Sequence, residues 1–194
     1  MRYIIFGEVV FLLFMGISVT LHPGFVLARR EGGISEYGLH IKTAVLYTVA
    51  WAALALGNMR AAREYADGNA HSRTVRKLLL SYSLVSFLVL VSTYAYSLNA
   101  VLKYIHYGFG AILIVLMSWV SFWMYRHLPP SPLTRILLYT QVLGSVAALL
   151  SIVGVVDVLC AAETLSNVGC AILLARTCAK SVGKAPTLLS AATP

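Results

Sequence analysis

The sequence predicts an all-α fold: a polytopic transmembrane bundle of six helices, with N and C termini cytoplasmic. Two observations carry the membrane part. Of the 194 residues 59% are hydrophobic and only 11% charged, with mean hydropathy +0.82, whereas a soluble domain is about 25% charged. The apolar residues also gather in runs of the roughly 20 residues that a helix needs to cross a bilayer. The third observation, an uneven placement of basic residues, sets the orientation.

The first run, Tyr3–Leu21, follows Met1-Arg2. It exceeds the roughly 7–15-residue apolar core of a signal peptide and ends in Val19-Thr20-Leu21-His22-Pro23, with no small-x-small cleavage site. It is therefore expected as a retained helix. The second span is His40–Asn58, with His40 and Lys42 at its mouth, and the third is Leu78–Leu98. A very short link at Asn99–Lys103 forces an antiparallel hairpin into the fourth, Tyr104–Tyr125. Pro129, Pro130 and Pro132 stop that helix and delay the fifth, Ile136–Val156, because proline cannot continue a helical ladder. The sixth, Ala162–Cys178, has Glu163 near one end and Arg176, able to snorkel to the interface, near the other. Residues 1–180 form one transmembrane domain and 181–194 a short cytoplasmic tail. The chain also reads as three helix hairpins in series, with Leu39-His40 and Ile105-His106 opening the second helix of the first two.

Eleven basic residues fall on one side: Arg2, Arg60, Arg63, Arg73, Arg76, Lys77, Arg126, Arg135, Arg176, Lys180 and Lys184. Four fall on the other: Arg29, Arg30, Lys42 and Lys103. The excess marks the cytoplasmic side. The same clustering accounts for the net charge of +8, since helix-end cations meet anionic headgroups. Nucleic acid is thereby set aside as a partner. Cys160, Cys170 and Cys178 make no CxxC and read as packing residues.

Polar groups inside an apolar run carry the functional hypotheses. Glu8 is an intramembrane carboxylate about a turn and a half from the cytoplasmic end of the first helix. It reads as a proton-handling group or, more plainly, as an interfacial acid paired with a cytoplasmic arginine. On the outward face His22, Glu36, His40, Lys42, Lys103, His106 and Asp157 lie near one membrane surface. They form a candidate ligand- or partner-binding cluster; the plainer reading is caps and headgroup contacts. Histidine beside carboxylate suits metal binding or proton transfer, although no HxxxH or HExxH spacing is present. A b-type haem would take His40 and His106 as axial ligands. Apart from that haem or a metal ion, the residues imply no cofactor. Tyr94, Tyr96, Tyr104 and Tyr107, with Trp119, Trp123 and Tyr125 at the opposite interface, form aromatic belts.

The connection His22–Gly38 is the most distinctive segment. Ser35 or Glu36 is placed to cap a helix start, and Gly38 implies close backbone packing. The loop is expected to pack on the bundle through Phe25, with Glu36 meeting His40, Lys42, Lys103 or His106. Here the run His22-Pro23-Gly24-Phe25, a polar spacer, and Ile34-Ser35-Glu36-Tyr37-Gly38 resembles a prokaryotic family of six-helix membrane proteins of unknown function (the domain-of-unknown-function 998 type). That family often shows Asn-Pro-Trp-Phe, a spacer, and Leu-Ser-Asp-Leu-Gly, and is similar in layout to the FRAG, DRAM and Sfk membrane proteins. His22, Gly24, Glu36 and Tyr37 depart from its pattern. The resemblance implies a fold and no particular reaction.

With no catalytic motif, the residues favour an accessory subunit or lipid-associating component of a membrane complex. Its partners would be membrane lipids and other membrane subunits. Gly144-x-x-x-Ala148 and Gly108-x-Gly110 offer close-packing faces for it. A redox or metal protein using the outward cluster is the first alternative. A small transporter is the second, although the paired broken helices of many transporters are missing. The charge asymmetry gives a direct test. Single cysteines at Arg30 and Asn99 should label from outside intact cells, and cysteines at Asp67 and Ser131 should not; outside labelling at Asp67 would invert the topology.

Overall fold

The computed structural model describes residues 2–24, 33–65 and 70–182. Phe25, Arg29 and Arg30 lie outside them. Seven α-helices and no strand occur among the described residues: α1 Arg2–Leu21, α2 Glu36–Leu39, α3 Ala44–Arg63, α4 Ala70–Thr93, α5 Ala100–His127, α6 Pro132–Ile152 and α7 Leu159–Val182. Five of them, α1, α4, α5, α6 and α7, are long and apolar enough to cross a membrane. Their outward faces fit that solvent: Phe6, Leu84, Val101, Val115 and Leu143 are all more than half exposed. The twenty residues of α3 are also long enough, at about 1.5 Å rise each, but Asn58, Arg60 and Arg63 dilute its far end.

Local chemistry sets the helix ends. Asn99 caps α5, its side chain accepting from the Leu102 N–H at 2.9 Å, and Ser131 caps α6 by accepting from the Thr134 N–H at 3.1 Å. Pro132 follows at the first helical position, where no N–H is needed. Two sequence boundaries are corrected. The second span does not begin at His40: Glu36–Leu39 forms its own short helix, His40 is extended, and the Thr43 hydroxyl donates to the Tyr37 carbonyl at 2.7 Å before α3 starts. The helix expected from Leu78 starts eight residues earlier, at Ala70. Arg73, Arg76 and Lys77 are good helix formers, so hydropathy marked the lipid-facing part rather than the hydrogen-bonded helix.

The helices pack as antiparallel neighbours, and two pairs approach through glycine. A Cβ on Gly57 would stand 2.6 Å from the Tyr3 carbonyl oxygen, and one on Gly7 would stand 2.8 Å from that of Ala53. Helices α1 and α3 therefore touch backbone to backbone. A Cβ on Gly144 would lie 2.7 Å from the Ser166 nitrogen, and one on Gly169 would lie 2.9 Å from the Gln141 Cβ, so α6 and α7 are joined in the same way. Close approach substitutes for a hydrophobic drive that lipid cannot supply between helices. Gly144 and Ala148, both buried, thus serve the bundle itself. Gly108 and Gly110 do not pack against another helix among the described residues, since a Cβ on either meets nothing within 4 Å.

Buried polar side chains find partners across these seams. The Ser83 hydroxyl donates to the Ala55 carbonyl at 2.7 Å. Gln141 donates to Ser145 at 2.9 Å, and Ser145 pairs with Ser166 at 2.8 Å. Such bonds join α3 to α4 and α6 to α7 where no water can compete. The glycine seams give a paired test in thermal unfolding of the detergent-solubilised protein. Gly57→Ala should destabilise by about 1–3 kcal/mol through overpacking. Gly16→Ala, whose Cβ meets nothing, should gain up to about 1 kcal/mol from helix propensity. Equal behaviour of the two variants would contradict the α1–α3 contact.

Candidate functional site

The end of the bundle where α1 finishes and α5 and α7 begin is taken as the upper end. There the segment 33–39 crosses the helix ends and is held from three sides. The Ile34 N–H donates to Glu163 Oε2 of α7 at 2.9 Å. Ser35 Oγ bonds His106 Nε2 of α5 at 2.9 Å, and Ser92 Oγ bonds His106 Nδ1 at 2.8 Å. The Ser92 hydroxyl also donates to the Val89 carbonyl at 3.0 Å. His106 thus has a serine hydroxyl at each ring nitrogen, and in the neutral imidazole one nitrogen donates and the other accepts. Tyr96 stacks on the imidazole at 4.9 Å and donates its hydroxyl to Glu36 Oε1 at 2.6 Å. Gly38 completes the seat, because a Cβ would lie 2.6 Å from Thr93 Cγ2 and 2.8 Å from the Tyr47 ring.

Beneath this segment lies a cavity of about 90 Å³. Ser35, Glu36, Tyr96, His106 and Glu163 line its upper part, Phe11, Val89, Leu113 and Ile114 its apolar walls, and Trp51, Ser166 and Asn167 its deeper part. One water needs about 10–15 Å³ in this measure, so several waters or a small polar head group fit. Trp51 is 6% exposed, and its indole N–H is buried without a hydrogen-bond partner among the described residues. Phe11 meets the indole edge-on at 5.4 Å. A buried donor left unmade costs about 1–3 kcal/mol, so an occupant with an acceptor oxygen would be favoured. Asn167 reaches past the cavity: it accepts from the Tyr82 hydroxyl at 2.5 Å and donates to Glu8 Oε2 at 3.4 Å.

The outward cluster of the sequence is divided here. Glu36 and His106 come together through Tyr96 and Ser35. His22 and His40 meet each other, ring centroids 4.3 Å apart. Lys103 stands 5.8 Å over the Tyr107 ring, and Lys42 and Asp157 are exposed. Glu36 accepts a hydrogen bond from the Tyr96 hydroxyl. Of the two histidines named as haem ligands, His106 has a serine hydroxyl at each ring nitrogen and His40 packs on His22. No group of three or more His, Cys, Asp or Glu side chains among the described residues is placed to hold a metal. Among the described residues Glu8 pairs with no arginine; it is buried, and its partner is Asn167.

Outside the spans, burial, with His22 and Lys42 nearby, holds the His40 imidazolium below the usual histidine range. Burial also pushes the Tyr37 phenol up to about 12, and its hydroxyl donates to the His22 carbonyl at 3.2 Å. The sequence reading missed Glu163, Asn167 and Trp51 as site residues. Glu163, Ser166 and Asn167 stand at i, i+3 and i+4, one face of a helix, and that spacing is the signal that could have found two of them. Comparison with family models, curated proteins and solved structures finds no match for the chain.

The Tyr96–Glu36 bond is open to test. Tyr96→Phe keeps the ring on His106 and removes only the hydroxyl, so unfolding should register a loss of about 1–3 kcal/mol. An unchanged midpoint would mean that the contact does not hold the segment.

Proposed function

We propose that this chain is a multi-pass cell-membrane protein of six spans, with both termini in the cytoplasm, that binds the head group of a membrane amphiphile in its upper cavity. The six-span reading counts α3 with the five apolar helices. It is supported by the antiparallel packing of α3 between α1 and α4 and by the charge asymmetry of the connections. The family plan that the His22–Gly38 motif resembles has the same number of spans.

One observation carries the binding reading: Trp51, which lines the deeper part of the cavity, has a buried indole N–H with no partner among the described residues. An amphiphile would place an acceptor oxygen on the indole, its polar groups among Glu163, Ser166 and Asn167, and apolar atoms on Phe11 and Leu113. Binding sites of this kind are mostly apolar with a few fixed polar groups. The role is that of a lipid-associating component, with no bond made or broken.

Gly110→Leu tests it. Gly110 lines the cavity and a Cβ there meets nothing within 4 Å, so the larger side chain has room to fill the site. Native mass spectrometry of protein extracted in mild detergent should show a retained lipid that Gly110→Leu loses, with unfolding unimpaired. Indole fluorescence should change when total lipid is added back to the native chain only. A native chain that carries no lipid and shows no fluorescence response would contradict the proposal.

A further inference from the structure

The ligand reading leaves Glu8 unused. Glu8 is 7% exposed, one carboxyl oxygen accepts from Asn167 at 3.4 Å, and Oε1 is buried with no partner among the described residues. Among the described residues no cation bears on it. Tyr82 of α4 and Cys170 of α7 are the titratable side chains whose charge bears on it. On α3, Arg60 is drawn off to the Tyr3 ring at 5.5 Å. Arg176 of α7 shares with Glu8 the border of a lipid-side groove. An intramembrane acid in such surroundings is a functional group by default.

Geometry gives this one a route. Asn167 is at once a wall of the upper cavity and the donor to Glu8. Glu163, one turn above Asn167 on α7, lines the same cavity at its mouth. A half-buried carboxyl at the mouth and a buried one beyond the wall therefore flank a space of water size, and a single amide separates the deeper one from it. We infer that Glu8 is a proton-binding site that exchanges with the cavity when the Asn167 side chain swings aside. The step is a plain transfer. A hydronium in the cavity gives up one proton, an O–H bond forms on the Glu8 carboxylate, and water remains; release is the reverse. A proton suits Oε1 better than a metal cation does, because a metal site needs several oxygens and the second polar group at Glu8 is the Asn167 NH₂ donor.

Two measurements on the full-length protein in lipid nanodiscs test the inference. A hydrophobic carbodiimide, which reacts with protonated carboxyl groups in apolar places, should label Glu8, with labelling lost in Glu8→Gln. Above the site's midpoint the rate should fall about tenfold per pH unit, as for any single proton site. Infrared spectra should show a carboxyl band that disappears in Glu8→Gln and shifts in Glu8→Asp. On transfer to D₂O that band should exchange in the native chain and more slowly in Asn167→Leu, which closes the route with an apolar side chain. Labelling that ignores pH, labelling blocked by sodium ions, or equal exchange in Asn167→Leu would each overturn the inference. Should Glu8→Gln fail to fold, Glu8→Asp and Asn167→Leu still decide it. Lipid retention and the carboxyl band are separate readouts, so this inference and the binding proposal can fail independently.

Discussion

The Ile34 N–H has its acceptor on a residue 129 positions away, the Glu163 carboxyl, at 2.9 Å. Irregular backbone at the edge of an apolar bundle cannot leave its amides unmade, so this bond decides where the segment 33–39 sits. Once Ile34 is fixed, Ser35 reaches His106, Glu36 comes under the Tyr96 hydroxyl, and Gly38 lies flat on Tyr47 and Thr93. The cavity exists because that segment spans it instead of sinking into it.

The bundle below has to be stiff for such a cover to persist. Glycine seams at Gly7–Gly57 and Gly144–Gly169 bring two helix pairs to backbone contact, and serine and glutamine side chains cross-link α6 to α7. The upper half of α5 differs, because Gly108 and Gly110 face open space. The cavity borders this loosely packed stretch. Dense packing elsewhere and slack at one glycine-bearing turn together make room for an occupant without unpicking the fold.

Much of this was legible in sequence wherever the cause was local. The proline run with Ser131 marked the α5–α6 break, Gly38 announced a close contact, and Gly144 announced a helix seam. Hydropathy located the span centres but not the helix ends, because Arg73, Arg76 and Lys77 extend α4 without being apolar. The site was harder, since its partnerships are distant in sequence. Glu163 looked like an edge residue because nothing nearby in the chain reveals that Ile34 covers it. Glu8 looked like an interfacial acid because Asn167, its partner, is 159 residues away. His40 and His106 appeared equivalent by position, yet one lies in a turn beside His22 and the other is wedged between two serines. Depth along a helix can be read from a sequence, but neighbours across a bundle cannot.

Amide hydrogen exchange at Ile34 tests the central constraint most directly. The bond to Glu163 predicts a protected Ile34 amide in the native chain. In Glu163→Ala that amide should exchange close to the unprotected rate while core amides of α1, such as that of Phe11, stay protected. An Ile34 amide that already exchanges freely in the native chain, or is equally protected in Glu163→Ala, would contradict the account.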